Sequence, residues 1–187
     1  MKSTNFLFVV MILLLTACGD EGLSPDPDVQ LMGTWEAQSF IATIVTTSEF
    51  DGNTTSTSLA VEGQNMDYTV TFTERDYATA GTYGIQGAVD AGGTVIPLNQ
   101  MYTEVTGDGT YSVSGDEITS NGAFFDFSVD GYDMSFLQEE VSATIEKLTE
   151  EEVVFVQESE ETITQNQAGI TMTITSKMQA RSVWKRQ

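Results

Sequence analysis

In four separate stretches of this chain the apolar side chains fall on every second residue. "YTVTFTE" sets Tyr68, Val70 and Phe72 on one face and threonines on the other. "YATAGTYGIQGAV" does the same with Tyr77, Tyr83, Ile85 and Val89, with Gly81 and Gly87 between them as bends. "AFFDFSVD" alternates Ala123, Phe125, Phe127 and Val129 against Asp126, Ser128 and Asp130, and "GITMTITSKM" alternates Ile170, Met172, Ile174 and Met178. A period of two marks a strand with one buried face, because successive Cβ atoms point to opposite sides of the pleat. The stretch closest to a helical period, "FLQEEVSATIEKLTEEE", carries β-branched residues and runs into "VVFV". Those features favour a hairpin. The pattern predicts an all-β chain.

Reversals are marked as clearly as strands. Asp51-Gly52-Asn53, Asp108-Gly109, Gly115-Asp116 and Asp130-Gly131 each separate alternating runs. Residues that tolerate positive φ are what tight hairpins require. Consecutive strands joined by short reversals give an antiparallel, up-and-down meander. About eight to ten such strands can close into a barrel and so remove their exposed edges. A two-sheet sandwich has the same local signals.

Ahead of the strands, Lys2 supplies one positive charge and Phe6 to Leu15 run ten residues without a polar side chain. That is short of the roughly 18 to 20 apolar residues of a spanning helix. It fits a cleaved export signal over residues 1–17. Leu15-Thr16-Ala17-Cys18 resembles the bacterial lipobox, and the resemblance implies cleavage before Cys18 and lipidation of that cysteine. Cys18 is the only cysteine, so no disulfide within the chain competes for it. Several acyl chains on one residue would hold the protein at a membrane almost permanently, since each buried methylene contributes about 0.8 kcal/mol. Residues 18–30, "CGDEGLSPDPDVQ", then form an acidic tether. Gly19-Asp20-Glu21 resembles the surface-export signal of Bacteroidota lipoproteins. A solvated spacer on the periplasmic side of the outer membrane is the alternative reading of the same residues.

A further resemblance concerns the domain over residues 31–187. "LMGTWEA" carries Gly33-Thr34-Trp35 at the start of the first strand and resembles the G-x-W signature of lipocalins. In that family the tryptophan plugs the closed end of the barrel, and an arginine of the last strand packs across it. The last strand ends "QARSVWKRQ", and alternation places Arg186 rather than Arg181 on the side of Met178 and Ile174. The order "LMGTWE", "VTFTERDYATAGTYG", "GTYSVSGDEITS", "ATIEKLTEEEVVFV" is similar to that of lipocalin-like lipoproteins of Bacteroidota. The resemblance implies a lipocalin-like β-barrel at the outer membrane and brings no ligand with it.

Composition narrows the function. Seven Lys+Arg stand against 28 Asp+Glu, a net charge of −21. Such a chain repels phosphate backbones, so nucleic acid is excluded as a partner. The absence of histidine removes every Ser-His-Asp and Cys-His arrangement and every histidine-ligated metal site. Ser182-Val183-Trp184-Lys185 matches S-x-x-K but lacks the accompanying motifs of that chemistry. "DFSVDGYD" begins like a calcium loop with Asp126, Ser128, Asp130 and Gly131, yet its twelfth position is Leu137 where a glutamate is needed. "ESEET", residues 158 to 162, reads as a solubilising acid cluster. The expectation is a non-enzymatic protein with no cofactor and no metal. Its barrel is expected to bind a small apolar or amphipathic molecule, with Tyr68, Phe72, Tyr77, Tyr83, Phe125 and Phe127 as ligand-facing or core residues. The alternative is a surface module with a filled core that binds a protein or glycan on its outside.

Overall fold

Alternating threonines, valines and aromatics suit a pleated surface with one dry face, and the computed structural model is built of strands accordingly. It describes residues 30–125, 140–167 and 170–187. Cys18, Phe127, the calcium-like loop and the 1–29 segment lie outside the described residues, as does the Asp130-Gly131 reversal. Eight strands follow in order: β1 (Gly33–Phe50), β2 (Asn53–Phe72), β3 (Asp76–Ala91), β4 (Thr94–Ser114), β5 (Glu117–Ser120), β6 (Val141–Leu148), β7 (Glu152–Gln167) and β8 (Ile170–Arg186). Each pairs antiparallel with its sequence neighbours, and β1 pairs with β8 from Trp35↔Arg186 to Phe50↔Met172, so the meander closes into a barrel.

Among the described residues, the ring is complete only near one end. β5 has 4 residues and β6 has 8, whereas β1, β2 and β4 have 18, 20 and 21. β5 holds only Tyr111–Ser114 of β4, and β6 holds only Val153–Val156 of β7. Beyond that level the long strands β7, β8, β1, β2, β3 and β4 run on together as a six-stranded sheet. The fully closed part forms the base and contains the core: Trp35, Val70, Phe72, Val153 and Trp184 are all buried there.

Turn chemistry accounts for two of the expected reversals. Asp51 (φ 48°) and Gly52 (φ 74°) form the two-residue loop between β1 and β2, and Gly115-Asp116 joins β4 to β5. The Asp108-Gly109 reversal is corrected, because both residues lie inside β4. Gly109 pairs with Tyr77, and a Cβ there would sit 2.7 Å from the Tyr77 ring. The glycine leaves room for that ring and for Asn121 Oδ1, 2.4 Å from the same position, a need that local sequence cannot distinguish from a turn. Ala123–Phe125, expected at the start of a strand, are not in one. The segment after β5 turns into the barrel, so that Phe124 and Phe125 both reach the core despite being consecutive. Alternation fails there because the residues leave the sheet.

Candidate functional site

Gly33, Trp35 and Arg186 converge at the base. Trp35 and Arg186 are direct partners across β1 and β8, and the guanidinium carbon stands 4.2 Å from the indole centroid. A cation over an aromatic face gains about 0.5 to 2 kcal/mol. Arg186 also donates to three backbone carbonyls, from Nη1 to Met32 (2.7 Å), from Nη2 to Gln30 and from Nε to Glu150 (2.7 Å). The first two belong to the chain entering β1 and the third to the β6–β7 turn, so one side chain ties both to the last strand. Gly33 makes room for it: a Cβ at that position would lie 2.6 Å from Nη1. Trp35 is fully buried, and its Nε1 donates to the Leu31 carbonyl at 2.7 Å. Arg181, on the opposite face of β8, donates from Nε to Glu146 (3.0 Å) on the outside of the barrel.

From the base upward the interior is filled by rings. Tyr68, Phe72, Tyr77, Tyr83 and Phe125 are all buried and in mutual contact through neighbours. Phe125 packs on Phe40, Tyr68 and Trp184 with centroids 4.6, 5.4 and 5.1 Å apart. Phe124 meets Phe72, Tyr77 and Phe155 at 5.6, 5.1 and 5.5 Å. The polar tips are satisfied as well: the Tyr68 hydroxyl donates to the Phe124 carbonyl (2.8 Å), and that of Tyr111 donates to the Thr73 carbonyl (2.6 Å). Between this plug and Ile44, Leu59 and Met178 there is a cavity of about 60 Å³. That is well below the roughly 300–1,000 Å³ of drug-sized ligand pockets.

Sequence reasoning did not single out Phe124, Phe155 or Tyr111, which join the plug. Tyr111 and Phe155 do carry a signal, since both lie on the inward parity of their strands. Trp184 is fully buried, and its Nε1 donates to Ser182 Oγ at 2.9 Å. That bond accounts for the serine of the S-x-x-K match, because Ser182 faces inward while Lys185 is exposed on the other face. Among the described residues, no three His, Cys, Asp or Glu side chains are placed to hold a metal ion.

Burial, and secondarily the Asp108 carboxylate, raises the ionisation of the Tyr77 phenol above its ordinary value of 10.0. A raised folded-state value means that the folded protein holds this proton more tightly than the unfolded chain does. Its contribution is complete below pH 10 and is lost as pH rises through the folded-state value. The urea midpoint of wild type should therefore fall more steeply above pH 10 than that of Tyr77→Phe. Parallel slopes would show that the phenol is not the group responsible.

No family model, no curated protein and no solved structure matches this chain.

Proposed function

We propose that this protein is a lipid-anchored, non-catalytic interaction module that works through the outside of a filled barrel. The observation that carries this reading is the aromatic plug, which leaves a cavity of about 60 Å³ where small-ligand pockets run to about 300–1,000 Å³. A barrel that carried a small apolar molecule would have to expel Phe124 and Phe125, and with them the Tyr68 hydrogen bond to the Phe124 carbonyl. Native mass spectrometry of protein purified from its own host tests the point. The expected spectrum contains the polypeptide with its covalent lipid alone, and a stoichiometric apolar molecule released on unfolding would restore the carrier reading.

The lipobox resemblance supports an anchor on Cys18, and the fold gives that anchor a geometric meaning. The chain enters at Gln30–Leu31, against Arg186 and Trp35 at the closed base. Gln30 lies twelve residue steps after Cys18, a reach of about 40 Å at about 3.3 to 3.6 Å per extended residue. A lipid on Cys18 would thus hold the closed base, where the chain enters, within about 40 Å of the bilayer. Cys18→Ser is expected to move the protein from the membrane fraction to the soluble fraction, and unchanged fractionation would remove the anchor from the proposal.

A further inference from the structure

The outer face of the six-stranded sheet carries a groove built from two cross-strand rows. In one row Arg181, Ile41, Glu62, Gln86 and Asn99 are successive register partners from β8 through β1, β2 and β3 to β4. In the next, Glu158, Gln179, Thr43 and Ala60 are partners from β7 to β2, with Pro97 at the far side on β4. Together they line a hollow of about 790 Å³. Bulges in β1, β2 and β3, between Glu36 and Ile41, Gln64 and Asp67, and Gly81 and Tyr83, lie on the base side of these rows. Bulges bend the strands that carry them, which accounts for the concavity of an outer barrel face. Two further hollows of about 520 and 570 Å³ adjoin the first, and Glu158 lies on the wall of all three. Through that shared residue the three hollows form one shallow recess running across the outer face.

Several of its polar side chains are held in place by one another. Gln86 Nε2 donates to Glu62 Oε1 at 2.9 Å, and Gln179 Nε2 donates to Glu158 Oε1 at 3.2 Å. Arg181 and Lys177 are engaged in the same way with Glu146 and Glu160 at 3.0 and 3.1 Å. Exposed pairs of this kind contribute little to stability. Their effect is to fix the orientation of carboxylate acceptors beside amide donors. A sugar hydroxyl both donates and accepts, so it suits such alternation, while Ile41, Ala60 and Pro97 offer apolar surface for the C–H face of a ring.

The same features exclude other occupants. The floor is a sheet whose backbone groups are already paired, so an extended peptide has no main chain to pair with on this face. The net charge of −21 repels an anionic chain. Each of Glu62, Glu146, Glu158 and Glu160 already holds a donor, which reduces its demand for an external cation. Resting on the reading of the protein as an outward-acting module, we propose that this groove binds an uncharged polyhydroxylated chain, that is, a neutral glycan.

Affinity electrophoresis of the full chain in gels containing dextran, xylan or galactomannan tests the proposal, with polygalacturonate and polylysine as charged controls. At least one neutral polymer should retard the protein, and polygalacturonate should not. The double variant Gln86→Ala, Gln179→Ala removes two exposed amides and should lower the affinity about tenfold with an unchanged melting curve, because each lost hydrogen bond weakens binding several-fold. No retardation by any neutral polymer, or equal retardation of the variant, would overturn the glycan assignment. Binding of polylysine alone, weakened by charge-removing Glu62→Gln, would assign the groove to a cationic partner and leave the interaction-module reading standing. That reading fails separately if an apolar molecule is found within the barrel.

Discussion

Trp35→Ala should destabilise the protein by about 3 to 5 kcal/mol, the range for truncating a buried aromatic. The indole is fully buried, donates to the Leu31 carbonyl and carries Arg186 on its face. Its removal leaves a cavity at the base, an unpaired carbonyl and a guanidinium without its ring. Three strained consequences meet in one place, because Arg186 also anchors Gln30, Met32 and Glu150. Arg186→Lys is the informative companion: a lysine keeps the charge over the ring but cannot reach three divergent carbonyls with a planar fork. Its loss should be smaller than that of Trp35→Ala and larger than that of Arg181→Lys, whose side chain pairs with Glu146 on the outside. Urea unfolding monitored by far-UV circular dichroism measures all three. A Trp35→Ala loss below about 1 kcal/mol would mean that the base is not organised around the indole.

The second large effect is expected at Gly81. Its φ is +135°, and a Cβ there would lie 2.1 Å from the Asp67 carbonyl oxygen and 2.9 Å from the Tyr68 Cα. These are backbone atoms of β2 and cannot rotate aside. Gly81→Ala therefore combines a backbone conformation costing about 1 to 3 kcal/mol with forced separation of two paired strands, about 1 to 3 kcal/mol more. Tyr68 is opposite Gly81 in the register, so the separation reaches the aromatic plug through its contacts with Tyr83 and Phe125. Gly92→Ala is the control, since Gly92 also has positive φ (+61°) but nothing lies within 4 Å of its Cβ position. It should cost about 1 to 2 kcal/mol. Equal losses at the two sites would show that φ strain alone acts at Gly81 and that the β2–β3 approach is relaxed.

What was legible in the sequence was legible for local reasons. Tyr68, Val70 and Phe72 alternate with threonines, and the pleat turns that alternation into one buried face whatever the strand pairs with. Asp51-Gly52 reads as a hairpin because its backbone needs positive φ, a property of the residues themselves. The same logic placed Arg186 on the inward parity of β8, where it meets Trp35, and Arg181 on the outward one.

Other features depended on what lies across the fold. Gly109 has the local appearance of a turn, and only its neighbours across the fold, Asn121 and the Tyr77 ring, show why a glycine is needed in mid-strand. Phe124 and Phe125 point into the same core because their segment leaves the sheet, so a period of two carries no information there. The aromatic stripe was equally compatible with a ligand cavity or a packed core, since either uses the same inward residues. Volume decides between them, and volume is set by how rings from six strands and one connecting segment interdigitate. The outer groove is likewise a product of register: Arg181, Ile41, Glu62, Gln86 and Asn99 are far apart in the chain and become neighbours only when five strands align. The sequence by itself determined the strands, their faces and several turns, because those follow from dihedral preference and side-chain parity. Tertiary structure alone decided the filled interior and the groove, because both arise from contacts between residues that no local rule relates.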